Sequence, residues 1–225
     1  MTFRKIELIP TLFLIGSLAM FITLGSWQME RLVWKQRVIA ESDAAKAAPA
    51  LATLPEDISN LTYHRVLLTG TFLHDKTIHL IGRQQGMDVG YYIVTPFSLE
   101  DDGRIILVNR GFSPLNKESK PEGIVTIEGI LRPAREKRYF APENMADKNI
   151  WSYEDMDKIA TVLGKKPLPL VVEALGKYER DVYPIPNDGT FIFRNDHLGY
   201  ALTWYGLGVV SVVMFVAYYR KKKSD

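Results

Sequence analysis

The sequence predicts a membrane-anchored α+β protein, with a transmembrane helix at each end of an extracytoplasmic, mainly antiparallel β domain. Two uncharged runs, residues 8–29 and 198–219, predict the anchors. A third observation predicts the domain: short segments rich in Val, Ile, Tyr and Thr fill the polar stretch between the two runs. We therefore expect one domain of ordinary size between two membrane helices.

The first anchor is predicted at residues 8–29, after a short tail at residues 1–7. A helix needs roughly 20 apolar residues to cross the hydrocarbon core, because lipid offers no partners for loose backbone groups. A cleaved signal peptide is the alternative, since the chain has a basic start and an apolar middle. The run is longer than a signal requires, however, and SWQMERLVWK lacks a small-residue cleavage site. We predict an uncleaved anchor.

The helix is expected to continue out of the membrane and to end near Pro49. In that continuation, Trp27, Arg31 and Trp34 follow i, i+4, i+7 spacing and share one helix face. Tryptophan is enriched at the lipid head groups of a membrane, so Trp27 is equally well explained as an ordinary residue of the aromatic belt at the membrane interface.

The central domain is predicted at residues 30–196. Its strand-like segments are YHRVLLTGTF, KTIHLIG, VGYYIVTPF, RIILVNRG and IVTIEGILRP, and LPLVVEAL adds a last strand. LEDDG is predicted as a hairpin turn, and the IILV run indicates a strand buried on both faces. YEDMDKIATVLG fits an amphipathic helix that ends at Gly164. The pattern favours a small curled sheet or barrel with one or two helices.

The second anchor is predicted at residues 197–219 and is followed by a tail at residues 220–225. Arg4 and Lys5 precede the first helix, and four cations at residues 220–223 follow the second. By the positive-inside rule both termini are cytoplasmic and the domain lies in the periplasm, or in the equivalent intermembrane compartment. No transit-like extension precedes the helix, so a bacterial inner membrane is preferred to a mitochondrial one.

Charge and cysteine usage exclude several classes of function. The formal net charge of +2 arises from the basic tails, so nothing indicates nucleic-acid binding. The chain has no cysteine, which excludes disulfides, thiolate zinc sites, thiol-based copper carriers and cysteine nucleophiles.

Motifs for catalysis or metal binding are missing from the sequence. There is no G-x-S-x-G, P-loop, H-E-x-x-H or G-x-G-x-x-G pattern. His74 and His79, if both lie on strands, point to opposite faces, and His64 is isolated. Asp101 and Asp102 are typical of a turn. An envelope enzyme or copper carrier is therefore disfavoured.

His197 stands at the start of the second anchor. At about 100° per residue, Ala201, Trp204 and Gly208 share its stripe, which leaves space beside a flat ring. A neutral imidazole is a good axial ligand for haem iron. The alternative is an interfacial histidine that only caps the helix or reaches toward water.

The opposite face of the second anchor carries Gly199, Thr203 and Gly206. Small residues let helix backbones approach closely, so we expect this face to pack against the first helix or a partner.

Five motifs occur in order along the chain: LGSWQMERLVWK, GYYIVTPF, ILVNRGF, EGILRP and NDHLGYALTW. Together they resemble the Surfeit locus protein 1 family, over residues 24–204. Each motif alone is weak, but five in order between two membrane helices are specific. One position departs from the pattern: Phe112 stands where a tryptophan is often found, and it keeps an aromatic ring.

The resemblance implies a non-catalytic assembly factor for cytochrome c oxidase that helps haem a reach the catalytic subunit. By position, His197 is the residue implicated in binding haem iron, and haem a synthase is a further candidate partner. The other matching positions are expected to be structural or partner-facing: Gly25, Trp27, Gln28, Arg31, Trp34, Asn109, Arg110, Gly111, Tyr200 and Trp204. The alternative is a cofactor-free membrane scaffold that holds oxidase subunits or haem a synthase through its helix faces.

Overall fold

The chain forms two compact units in a computed structural model that describes residues 8–83, 89–114, 117–189 and 195–224. One unit combines the two ends of the chain, Met1–Glu41 and Ile192–Asp225, and the other is Ser42–Phe191. The predicted tail at residues 1–7, with Arg4 and Lys5, lies outside the described residues.

Two long helices form the terminal unit. Helix α1 spans Leu8–Ala47, and the last helix of the chain, α3, spans His197–Ser224. Both are long and apolar enough to cross a membrane, as the uncharged runs predict. The continuation of α1 beyond residue 29 is confirmed, and the helix ends just before Pro49, where a proline ring would disturb the preceding turn.

A mixed sheet of seven strands builds the second unit. The strands are β1 (Arg65–Phe72), β2 (Ile78–Arg83), β3 (Val89–Leu99), β4 (Ile105–Ser113), β5 (Ile124–Pro133), β6 (Ile150–Trp151) and β7 (Leu170–Ala174). Their order is β1-β5-β7-β4-β3-β2-β6. Short 3₁₀ helices lie at His74–Lys76 and Ala146–Lys148.

The sheet closes on itself because β1 pairs with both β5 and β3. The antiparallel register of the closure joins Gly70 to Leu99 and Phe72 to Phe97. Two pairings are parallel, β4 with β7 and β2 with β6, and the other five between these strands are antiparallel, so the sheet is mixed but mainly antiparallel, as the sequence indicated. The parallel pairing of β4 with β7 follows from the connectivity, because β7 returns between β4 and β5 only after a long crossover.

The crossover contains helix α2, Met156–Leu163, as the YEDMDKIATVLG segment predicts. Asp155 caps its first turn by accepting a hydrogen bond from the Lys158 backbone N–H. Gly164 ends it in the left-handed conformation, with φ of 70°. Its apolar face packs through the fully buried Ile159 against Trp151 and strand residues such as Val94.

Strand β4 runs through the centre of the domain and every one of its residues is buried, which confirms the prediction from the IILV run. The turn before it is the predicted hairpin: Gly103 has φ of 66° and donates its N–H to the Leu99 carbonyl. Asp102 accepts a hydrogen bond from the Arg104 backbone N–H at 2.8 Å, as expected of a turn residue.

Candidate functional site in the terminal helices

Helices α1 and α3 pack against each other along a narrow seam. The rings of Phe21 and Trp204 stack with centroids 6.0 Å apart, and Ala201 is fully buried. Gly25 lies under the ring of Tyr205, where an added Cβ would be 2.6 Å from the nearest ring carbon. Only glycine permits this approach, so the family-like glycine of the first motif acts as a packing residue.

The face of α3 that packs against α1 is the opposite of the one expected from the sequence. Trp204, Ala201 and Gly208 were expected to leave space beside a flat ring, but they face α1, and Gly208 lies near Leu18 and Phe21. That expectation is wrong. An angular plot shows which residues share a face of α3, but which face docks depends on the bulky residues of α1.

The opposite face of α3 was expected to pack closely. A Cβ added at Gly199 or Gly206 would have no atom within 4 Å, and Thr203 is exposed. Thr203 bonds only back along its own helix, to the Gly199 carbonyl at 2.9 Å. The prediction that this face packs against α1 is therefore wrong, and packing against a partner stays a prediction.

A hydrogen bond joins His197 to Gln28 at one end of the seam, with 2.7 Å between Nδ1 and Oε1. With the amide oxygen facing the ring, as placed here, Nδ1 is the donor, and in the neutral ring Nε2 then keeps its lone pair. Metal-ligating histidines use this arrangement, in which the second ring nitrogen is held by a carbonyl or carboxylate oxygen. His197, at the first position of α3, is half-buried.

The predicted face of Trp27, Arg31 and Trp34 is present on α1. The Arg31 guanidinium carbon lies 5.7 Å from the Trp27 ring centroid and 5.6 Å from that of Trp34. Both indoles remain about half exposed, at 47% and 52%. A cation between two aromatic faces is held by cation–π attraction, and the group stays available to a ligand or partner. Tyr200 on α3 is likewise exposed.

The strand motif Asn109-Arg110-Gly111 lies in the second unit and is entirely buried in β4. Asn109 donates from Nδ2 to Glu173 and accepts the Gly111 N–H at its Oδ1. Gly111 has φ of 119°, and a Cβ there would lie 1.9 Å from the Ile185 carbonyl oxygen. These contacts are structural.

Arg110 is buried in the same strand. Its guanidinium carbon lies 5.0 Å from the Phe72 ring centroid, and Nη2 donates to the Ser119 carbonyl at 2.6 Å. Burial lowers the pKa of Arg110, and the nearby Glu118 carboxylate opposes that effect only in part.

The second unit contains a buried network of charged side chains that the sequence did not predict. Arg132 at the end of β5 donates two hydrogen bonds to Glu154, at 2.6 and 2.7 Å, and a third from Nε to Glu173. Burial raises the pKa of Glu154, but the bonds and charge of Arg132 outweigh it and hold that pKa below its ordinary value. The only sequence signal was a single arginine, Arg132, at the end of an apolar strand, in ILRP.

The domain histidines lie in separate environments. His74 is in a 3₁₀ helix, so the strand argument that gave it a face opposite His79 is wrong. His74 Nε2 lies 2.7 Å from the Pro121 carbonyl oxygen, and His79 Nε2 lies 3.8 Å from Glu118. Across the described ranges, no three His, Asp or Glu side chains are grouped as a metal site would require.

The chain is similar to a set of known proteins over most of its length. A family model described as the SURF1 family matches residues 15–209. A SURF1-like protein of Rickettsia conorii is 36% identical over 210 residues, covering 89% of this chain and 87% of the relative. A SURF1-like protein of Monosiga brevicollis is 34% identical over 220 residues, with 88% and 83% covered. The Surfeit locus protein 1 of Rattus norvegicus is 34% identical over 207 residues, with 82% and 67% covered.

Proposed function

The chain belongs to the SURF1 family, and we propose that it serves cytochrome c oxidase assembly by holding haem a at His197 and helping its delivery to the catalytic subunit. Membership of the family gives the chain a role in oxidase assembly and an association with the assembly machinery. The family is one of assembly factors, which are generally not enzymes. Haem a is the cargo in this proposal.

The observation that supports the proposal is the hydrogen bond between His197 and Gln28. It leaves the Nε2 lone pair available for iron and fixes the plane of the imidazole ring. The residues therefore fit an axial ligand: His197 would bind the iron, and Gln28 would orient the ring. The seam beneath His197 is filled by Phe21 and Leu18, so the macrocycle would lie outside the seam.

The location belongs to the same proposal. Two apolar helices are consistent with membrane anchoring, and the basic flanks favour a topology with both termini cytoplasmic and the domain periplasmic. In a bacterial inner membrane, haem a synthase would supply the haem and the oxidase catalytic subunit would receive it. His197, at the predicted membrane boundary, would then lie at the depth where an amphipathic haem meets the head groups.

The pigment content of the purified full chain tests the haem proposal. When the protein is co-produced with the haem a pathway, wild type should show a Soret band and His197→Ala should lose most of it. His79→Ala is the matched control, because His79 is a comparably exposed histidine of the second unit, and it should keep the band. If His197→Ala keeps the full band with an unchanged spectral shape, His197 is not the ligand.

Two substitutions at Gln28 distinguish its proposed role in orienting the His197 ring from a role in folding. Gln28→Leu removes the acceptor and should weaken haem binding about 10- to 100-fold, the usual effect of losing such a partner. Gln28→Glu keeps an acceptor and should retain binding. The ¹⁵N NMR signals of His197 in haem-free protein report the tautomer directly, and they should show Nδ1–H in wild type but not in Gln28→Leu.

A cofactor-free scaffold is the second candidate, favoured by the exposed face of Trp27, Arg31 and Trp34. In that case haem-free protein would still co-purify with oxidase subunits, and Trp27→Ala with Trp34→Ala would reduce their recovery. Recovery that depends on bound haem would instead favour the haem proposal.

A further inference from the structure

Tyr139 and Phe140 form an exposed aromatic tip on the second unit, each with 92% of its surface exposed. Their ring centroids are 4.8 Å apart and their planes are nearly perpendicular, at 86°. The Ala141 N–H donates to the Arg138 carbonyl at 2.9 Å, which closes a turn with the two rings at its apex. Two adjacent rings this exposed are unusual in a folded domain.

The base of this aromatic tip is fixed to the domain. Before the tip, the Arg135 N–H donates to buried Glu154 at 2.7 Å, and the Arg135 guanidinium lies over the Tyr92 ring. After the tip, Asn144 accepts the Ser152 N–H at 2.8 Å. An ion pair between Lys137 and Glu143 joins the two sides. The domain therefore presents the rings on a built support.

The surroundings of the aromatic tip argue against a protein partner. Two aromatic side chains bury about 300–500 Å² together, whereas a stable protein interface needs about 800 Å² on each side. The exposed residues beside the rings include four charged ones, Glu136, Lys137, Arg138 and Glu143, so the ring pair stands on a largely polar base. A small ring pair on a polar base needs no complementary surface if its partner is a lipid interface.

The chain itself indicates which lipid interface is available. Both ends of the second unit continue into helices long and apolar enough to cross a membrane, so a bilayer is always present at high local concentration. Tyrosine and phenylalanine suit the boundary between head groups and acyl chains. Residues 135–143 also carry three cations against two carboxylates, which favours an anionic surface.

We propose that Tyr139 and Phe140 insert into the head-group layer of the bilayer that anchors the chain. The two rings then act as a third, peripheral membrane contact besides the two helices. This inference depends on membrane anchoring and is independent of haem binding at His197.

The absence of cysteine makes the proposal directly testable. Phe140→Cys in the full chain offers a single site for an environment-sensitive bimane label, and Tyr178→Cys is the matched control at another exposed aromatic, 63% exposed. Both proteins are placed in nanodiscs of phosphatidylcholine with phosphatidylglycerol that contain a head-group spin-labelled lipid. The label at position 140 should be several-fold more strongly quenched than the label at position 178, and its emission should shift to the blue.

Two outcomes would overturn the insertion proposal. Equal, weak quenching at both positions would mean that the aromatic tip stays in water. A blue shift that appears only after oxidase subunits are added, without lipid quenching, would mean that the tip docks on protein. As a second measurement, Tyr139→Ser with Phe140→Ser should speed tryptic cleavage after Arg138 in nanodiscs and leave its rate in detergent unchanged.

Discussion

At the scale of single residues, polar groups in apolar surroundings decide what this chain can do. His197 and Gln28 satisfy each other at the end of the helix seam, through a hydrogen bond between Nδ1 and the amide oxygen. Arg132, Glu154 and Glu173 satisfy each other inside the second unit, with Asn109 completing the set. The second group uses its donors and acceptors internally and is structural, whereas a role for His197 in binding haem stays a proposal.

Substitution of Arg132 should show how much the stability of the second unit depends on the ion pairs of the buried network. Arg132→Met leaves two buried carboxylates without their main partner and should lower the free energy of unfolding by about 3–5 kcal/mol. Thermal unfolding of the full chain in detergent, followed by near-ultraviolet circular dichroism, measures the loss. Lys137→Met is the control, because its ion pair with Glu143 is exposed, and it should cause no measurable change.

The pH dependence of the free energy of unfolding tests the same network, because the direction of the change can be predicted. Because the pKa of Glu154 lies below its ordinary value of 4.5 in the folded wild type, the stabilisation is complete above that value and is lost as pH falls through the lowered pKa. In Arg132→Met, burial, the largest single cause, is opposed only by the N–H and charge of Arg135, so we expect the pKa of Glu154 to rise above its ordinary value and acidification from about pH 7 to about pH 5 to stabilise the variant. A variant that loses stability over that interval would contradict this account.

At the scale of elements, the contact of α1 with α3 depends on one glycine beneath one aromatic ring. Ridges and grooves on the two helices allow several dockings, and the observed one brings Gly25 under Tyr205 and Phe21 onto Trp204. That docking also brings Gln28 to His197. The candidate site therefore depends on helix packing far more than on either helix alone.

Gly25→Leu should separate the helices, because even its Cβ would overlap the Tyr205 ring. Cysteine cross-linking between positions 21 and 204 in the full chain should fall sharply in this variant. Gly206→Leu is the matched control, since the space around Gly206 is open, and its cross-linking should match that of the parent. If Gly206→Leu alone abolished the cross-link, the seam would lie on the other face of α3.

At the scale of the whole molecule, the chain combines two units: a pair of apolar helices from its two ends, and a closed β domain with a buried charge network. Pairing of β1 with β3 covers the outer edge of β1 at Gly70–Phe72, which reduces the hazard of unintended strand pairing there, whereas β6 stays at the other end of the strand order. The proposed topology places this domain on the periplasmic side, where haem a would be handed on to the oxidase.

Topology can be measured with the same cysteine-free background. Tyr178→Cys should react with a membrane-impermeant maleimide in intact spheroplasts, because the domain is proposed to be periplasmic. Lys221→Cys, near the end of α3, should react only once the membrane is broken. The reverse pattern would exclude the proposed orientation and, with it, haem delivery from the periplasmic side.

Much of the fold could be predicted from the sequence, because local patterns carry it. Uncharged runs predicted both helices, the IILV run predicted a strand buried on both faces, and Gly164 predicted the end of α2. Strand β6 and the parallel pairing of β7 were missed, because two residues of strand and a crossover leave no periodic signal.

By itself, the sequence determined the two long apolar helices, the α+β domain and the family-like motifs, and it made His197 a candidate, since composition and spacing are properties of the chain. Only the tertiary structure decided that the stripe below His197 packs against α1, that Gln28 holds the imidazole, and that Arg132 is paired inside the domain. The physical reason is distance along the chain: His197 and Gln28 are 169 residues apart, and no local propensity encodes which distant partner satisfies a polar group.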